Sequence, residues 1–230
     1  MSRLKLLLSL FMLMGLTLSA GPLAAQEEGT PSALDDPGLL EGIELAIARD
    51  WSIDFEAMMA TPEAEMDQDG LMLVSALAMR FDSDENAAAA YEIYRTQGIA
   101  SLTSDMDVEG EEAVVTEQEL DLGDESYQVD MIATTEESEG AVTVSFAREG
   151  NHVYLVSAIS LDLESSALAS DILDYMVNEA EPADGEGTFN EDGGSEGGLW
   201  DVFPPNDYPA LTGLIPGGDE LAYPAPDAGA

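Results

Sequence analysis

His152 is the only histidine in the chain, and so the only side chain whose ordinary pKa lies near neutrality. It begins an alternating apolar run just after Gly150-Asn151. Glu149, across that turn, would hold the imidazole pKa up if the two pair. A serine hydrolase needs its histidine beside a nucleophile and an orienting acid, and the sequence reads as offering no Gly-x-Ser-x-Gly nucleophile elbow; a histidine at a hairpin end reads instead as a surface residue. Asp105, Asp107 and Glu109 begin a string like a calcium loop, but its twelfth position is Thr116, where a bidentate glutamate belongs. They are candidates for weak calcium binding and do not make an EF-hand. Asp67-Gln68-Asp69-Gly70 reads as a turn. Two carboxylates can run glycoside hydrolysis, yet with 48 acidic residues some pair falls at any chosen spacing. No phosphate loop, dinucleotide fingerprint or His/Cys cluster occurs. The sequence therefore assigns no catalytic residue and no cofactor.

Charge excludes more than it assigns. The chain carries 48 acidic against 6 basic residues, a formal net charge of −42. Such a field repels nucleic-acid phosphates and anionic membrane surfaces, so neither is an expected partner. The absence of lysine beyond Lys5 and the even spread of acid favour adaptation to a salty medium over a cation-binding surface.

The first 25 residues read as a secretory signal. Arg3 and Lys5 supply the positive start, Leu6 to Leu18 the apolar stretch, and Ala24-Ala25 the small residues before cleavage, with Ala20 the alternative site. The apolar stretch is shorter than the ~20 residues a membrane span needs. With no cysteine anywhere, the acylated cysteine of a lipoprotein is excluded and disulfides do not contribute. The expected location is outside the cytoplasmic membrane, secreted or on the cell envelope.

The remaining elements follow from periodicity and turn chemistry. Residues 26–36 form an acidic lead. Leu39, Ile43, Ala46 and Ile47 fall at helical spacing behind Asp36-Pro37, which predicts a helix over 37–49. Trp51, Ile53 and Phe55 alternate like a short strand. Leu71 to Phe81 alternates like a strand with Ser75 the exception on its apolar face, and Asp82 or Ser83 then caps a helix bearing Ala87, Ala90, Tyr91 and Tyr94. Tyr91, Tyr94 and Trp51 read as core. Strands are expected at 113–121 and 126–134 around Leu122-Gly123-Asp124-Glu125, and at 141–149 and 152–160 around Gly150-Asn151. That last turn sets Phe146 opposite Leu155 and Val142 opposite Ile159, with Val144 and Val153 on the same core face. Thr143, Ser145, Ala147, Tyr154 and Val156 take the other, partly wet face. A helix over 163–178 carries Leu168, Ile172, Tyr175 and Met176.

These elements predict one α+β domain over 37–181: a mostly antiparallel sheet of about five strands with two or three helices packed on it. An acidic Gly-rich linker follows at 182–198. The last stretch, 199–230, mixes Trp200, Phe203, Tyr208, Leu211 and Leu214 with six prolines. It either docks back on the domain, the favoured reading, or presents those five residues to a protein partner.

Phe81-Asp82-Ser83, the Ala87–Ala90-Tyr91 run, Leu122-Gly123-Asp124-Glu125, Arg148 to Tyr154 and Asp207 to Leu214 together resemble a broad group of exported bacterial proteins of unknown function, from actinobacteria and their relatives. The resemblance spans about half of the chain beyond the leader. It implies the fold and the export, and no activity. The expected function is thus an exported non-enzymatic domain that binds a partner or small ligand. The alternative is a carboxylate-dependent hydrolase of extracellular polymers.

Overall fold

The hairpin around Gly150-Asn151 is the frame on which the rest is laid. In the computed structural model, which describes residues 41–54, 71–98, 112–134, 139–160, 167–180, 187–188 and 195–223, its arms are β5 (Glu139–Glu149) and β6 (His152–Ser160). Phe146 faces Leu155 and Val142 faces Ile159, the register expected from the turn. On one side β5 pairs with β4 (Glu125–Thr134), and β4 with β3 (Glu112–Glu119). On the other, β6 pairs with β2 (Leu71–Phe81), β2 with β1 (Ile43–Ser52), and β1 with β7 (Ile215–Tyr223). All pairings are antiparallel. The sheet has seven strands in the order β3-β4-β5-β6-β2-β1-β7, two more than the sequence suggests.

Alternation along each strand sends side chains to two apolar layers. One layer holds Met79, Leu77, Val153, Leu155, Phe146, Val144 and Val129, and α1 (Asp84–Ile93) packs over it with Ala87, Ala90 and Tyr91. Ser83 is the N-cap: its hydroxyl accepts from the Asn86 N–H at 3.3 Å, while Asp84 and Glu85 sit at the positive helix end. A π-helical turn, Tyr94–Gly98, continues the helix. The second layer holds Leu45, Ile47, Trp51, Ala76, Tyr154 and Val156. It is covered by α2 (Ala167–Asp174), its π-helical continuation Tyr175–Glu179, and the segment from Gly198 to Leu214.

Three expectations change. The helix predicted over 37–49 is strand β1 from Ile43 onward, and residues 37–40 lie outside the described residues. Its apolar residues mimic helical spacing because both faces of a central strand are buried, which erases the two-residue alternation. Thr143 and Ser145, expected on a partly wet face, are 1% and 0% exposed because α2 covers them. The helix expected over 163–178 is present from Ala167 onward, and residues 163–166 lie outside the described residues. The fold does not stop at Glu181: Trp200, Val202 and Leu211 enter the second layer, and β7 closes the sheet beyond β1.

Candidate functional site

A polar network lies between the sheet and α2. Gln128 on β4, 2% exposed, accepts from the Ser145 hydroxyl at 3.0 Å and from the Ser170 hydroxyl on α2. Its amide donates to Asp130 Oδ2 at 2.9 Å, and Thr143 Oγ1 donates to Asp130 Oδ1 at 2.7 Å. The five side chains spend these polar groups on one another. They pin α2 to β4 and β5, and a fully paired buried network of this kind fixes packing geometry.

His152 stands in a cross-strand row with Arg80 of β2 and Glu149 of β5, half-buried, its ring stacked parallel on Tyr154 at 6.1 Å. Burial, and then the Arg80 charge, lower its pKa. The rise that would follow from a pair with Glu149 does not appear: desolvation and a like charge set the direction. The sequence also hides one spacing inside the stretch read as linker. Gly193-Gly194-Ser195-Glu196-Gly197 has the Gly-x-Ser-x-Gly form of a nucleophile elbow. Ser195 is 8% exposed and its hydroxyl has no protein partner, so His152 does not serve it as a base. Its backbone is held instead: the Ser195 N–H donates to Asp219 Oδ2 at 2.6 Å, and Asp219 pairs through both oxygens with Arg49, at 2.5 and 2.9 Å. The Arg49 guanidinium lies 5.1 Å from the Phe203 ring centre. This clamp ties β7 and the Ser195 segment to β1.

On the α1 face, Asp50, Ser75 and Ser157 form a row across β1, β2 and β6. The Ser75 hydroxyl donates to Asp50 Oδ1, and the buried Ser157 hydroxyl has no protein partner. Desolvation of its carboxyl pushes the Asp50 pKa up against the effect of that hydrogen bond, although the residue as a whole is exposed. Burial and then the Asp50 charge raise Glu220 on β7. The two carboxyls are thus coupled, but neither is offset by a cation in the way that keeps a nucleophile ionised.

Of the five candidate partner residues, Trp200, Phe203 and Leu211 are buried, and Tyr208 and Leu214 are half-buried against the same layer. Tyr208 donates to the Asp171 carbonyl at 3.1 Å and its ring packs 5.1 Å from that of Tyr175. The docked arrangement holds, and these side chains are part of the core. Asp105, Asp107 and Glu109 lie outside the described residues. Among the described residues, no group of three or more His, Asp or Glu could hold a metal ion, and no helix is long and apolar enough to cross a membrane.

What remains open is a sheet edge. From Val114 to Glu119 every residue of β3 is exposed, including the adjacent valines Val114 (50%) and Val115 (36%), whose side chains point to opposite faces. Nothing in sequence marks this strand as an edge: its alternation is that of any half-polar strand, and its place in the sheet is a property of topology.

No protein-family model and no curated protein sequence matches this chain. Similar solved structures include the extracellular domain of PknH from Mycobacterium tuberculosis, at 16% identity and a TM-score of 0.35, with 63% of this chain and 70% of that one covered.

Proposed function

We propose that the chain is an exported, non-enzymatic domain that binds a partner outside the cytoplasmic membrane. Export rests on the leader sequence. Binding rests on one observation: among the described residues β3 is an edge strand, exposed from Val114 to Glu119 with two neighbouring valines in solvent. A bare edge is a template for another chain, which folded proteins ordinarily blunt or cover, and strand addition to such an edge is a recurring mode of peptide recognition. The test is to immobilise the full chain and select from a displayed library of extended peptides. Enrichment of strand-forming sequences is expected; no enrichment over an unrelated acidic protein sinks the reading.

The hydrolase alternative draws on Asp50 and Glu220, whose raised pKa values suit a general acid. It requires turnover of an extracellular polymer that Asp50→Asn abolishes. A polymer panel cleaved no faster than by Asp50→Asn removes that alternative.

A further inference from the structure

The β3 edge is specific enough to name the chemistry of what it takes, and this step rests on the binding reading above. The Leu120 N–H donates to the Ser126 carbonyl at 3.3 Å, one pair beyond Glu119↔Tyr127. Hydrogen-bonded pairs alternate along an antiparallel ladder. Gln118, Thr116 and Val114 therefore turn their backbone groups inward to β4, and Glu119, Glu117 and Val115 turn theirs out to the free edge. The side chains divide the same way. Val115, Glu117 and Glu119 oppose Met131, Val129 and Tyr127 on the α1 face, while Val114, Thr116 and Gln118 lie on the α2 face.

We infer that β3 docks an extended basic segment of another protein, added antiparallel as an eighth strand. Directly opposed side chains contribute most to pairing, and opposite charges or apolar residues facing each other are favourable. Opposite Glu119 and Glu117 the partner carries Lys or Arg; opposite Gln118 and Thr116, a small polar or β-branched residue; opposite Val115 and Val114, Val or Ile. Read in the partner's own direction, the matching hexapeptide is Lys-Thr-Lys-Thr-Val-Val. A second copy of this chain has no cation in β3 to set against its glutamates. Setting β3 against itself at Glu117↔Glu117 opposes like charges, and the Val115↔Val115 register matches the valines but leaves each Glu117 opposite Ala113. Each copy also brings a formal −42. That field favours the basic segment and repels the copy.

The experiment titrates the full chain, labelled for amide NMR, with Lys-Thr-Lys-Thr-Val-Val and with Glu-Thr-Glu-Thr-Val-Val. The basic peptide is expected to bind at least tenfold more tightly, with shifts centred on Val115, Glu117 and Glu119. Val115→Pro deletes one outward N–H and leaves the bonds to β4 in place; binding should fall at least tenfold while the remaining amide spectrum is kept. The double variant Glu117→Lys/Glu119→Lys should reverse the preference in favour of the acidic peptide, a gain that misfolding cannot imitate. Equal binding of the two peptides, shifts centred on β7, or unchanged binding to Val115→Pro overturns the β3 assignment and leaves the broader binding reading standing. Concentration-dependent dimerisation through β3 overturns it in favour of a second copy. If neither peptide binds, the inference fails, and the library selection decides the broader reading separately.

Discussion

Asp50 shows how a single group can cost stability at neutral pH. Its carboxyl has a raised pKa because desolvation of that group penalises the charge although the residue as a whole is exposed, and its charge in turn raises Glu220. A carboxyl whose folded pKa exceeds its unfolded value favours the folded state below the unfolded pKa, and that contribution disappears as pH rises through the folded pKa. At pH 7 the native chain therefore pays for an ionised Asp50. Asp50→Asn keeps an acceptor for the Ser75 hydroxyl and removes the charge. We expect a higher urea midpoint for the variant at pH 7 and a gap that closes toward pH 3. A gap that is constant across that range means the effect is packing and not charge. His152 acts in the opposite direction along the pH axis: its lowered pKa means that stability is lost as pH falls below its unfolded value, because the unfolded chain takes up the proton more readily.

The C-terminal segment is an integral layer of the fold, and its removal should behave accordingly. Trp200 is 2% exposed, packs on Phe203 at 6.2 Å, and lies in the same apolar layer as Trp51, whose indole N–H donates to Asn206 Oδ1 at 3.0 Å. Trp200→Ala should cost about 3–5 kcal/mol, the usual range for truncating a buried aromatic, measured by urea denaturation. A loss under about 1 kcal/mol would mean that the segment rests loosely on the sheet. The β5–β6 hairpin and the β2–α1 junction were legible in the sequence because turn and cap chemistry is local: Gly150-Asn151 fixes a register, and Ser83 fixes a helix start. Strand β1 was not, since its neighbours on both sides come from distant sequence and both of its faces are covered. Strand β7 was hidden differently. Pro216, Gly217 and Gly218 carry no strand signal, and an edge strand beside β1 tolerates them where a central strand would not. The candidate site was missed for the same reason. The residues 113–121 read correctly as a strand, but only the sheet order makes β3 an edge. The aromatic residues that looked available in the tail are the ones the core consumes.

The charge of the whole chain bears on how it meets its surroundings. The described ion pairs are few: Arg49 with Asp219, Arg80 with Glu44, Arg95 with Glu92, and Arg148 with both Asp124 and Glu125. A formal −42 means that carboxylates far outnumber the cations available to pair with them. Self-repulsion of this kind destabilises the compact state and is screened as the Debye length falls from about 30 Å at 0.01 M salt to about 3 Å at 1 M. The thermal midpoint should climb across that range, by about 2–4 °C for each kcal/mol of repulsion relieved in a chain of this size. The form of the rise separates screening from binding. If the acidity is adaptation to a salty medium, sodium and calcium salts at matched ionic strength give superimposable curves. A calcium curve that begins to climb below about 1 mM while sodium is still without effect requires a dedicated site with a Kd of about 1 mM or tighter. Asp105, Asp107 and Glu109 are then the residues to replace. The two outcomes also change what is expected at β3, because screening weakens attraction of a basic strand as surely as it relieves repulsion within the sheet. A chain adapted to high salt must hold that partner chiefly through backbone pairing and the two valines, and the preference for Lys-Thr-Lys-Thr-Val-Val over its acidic counterpart should narrow as salt rises while Val115→Pro remains damaging throughout.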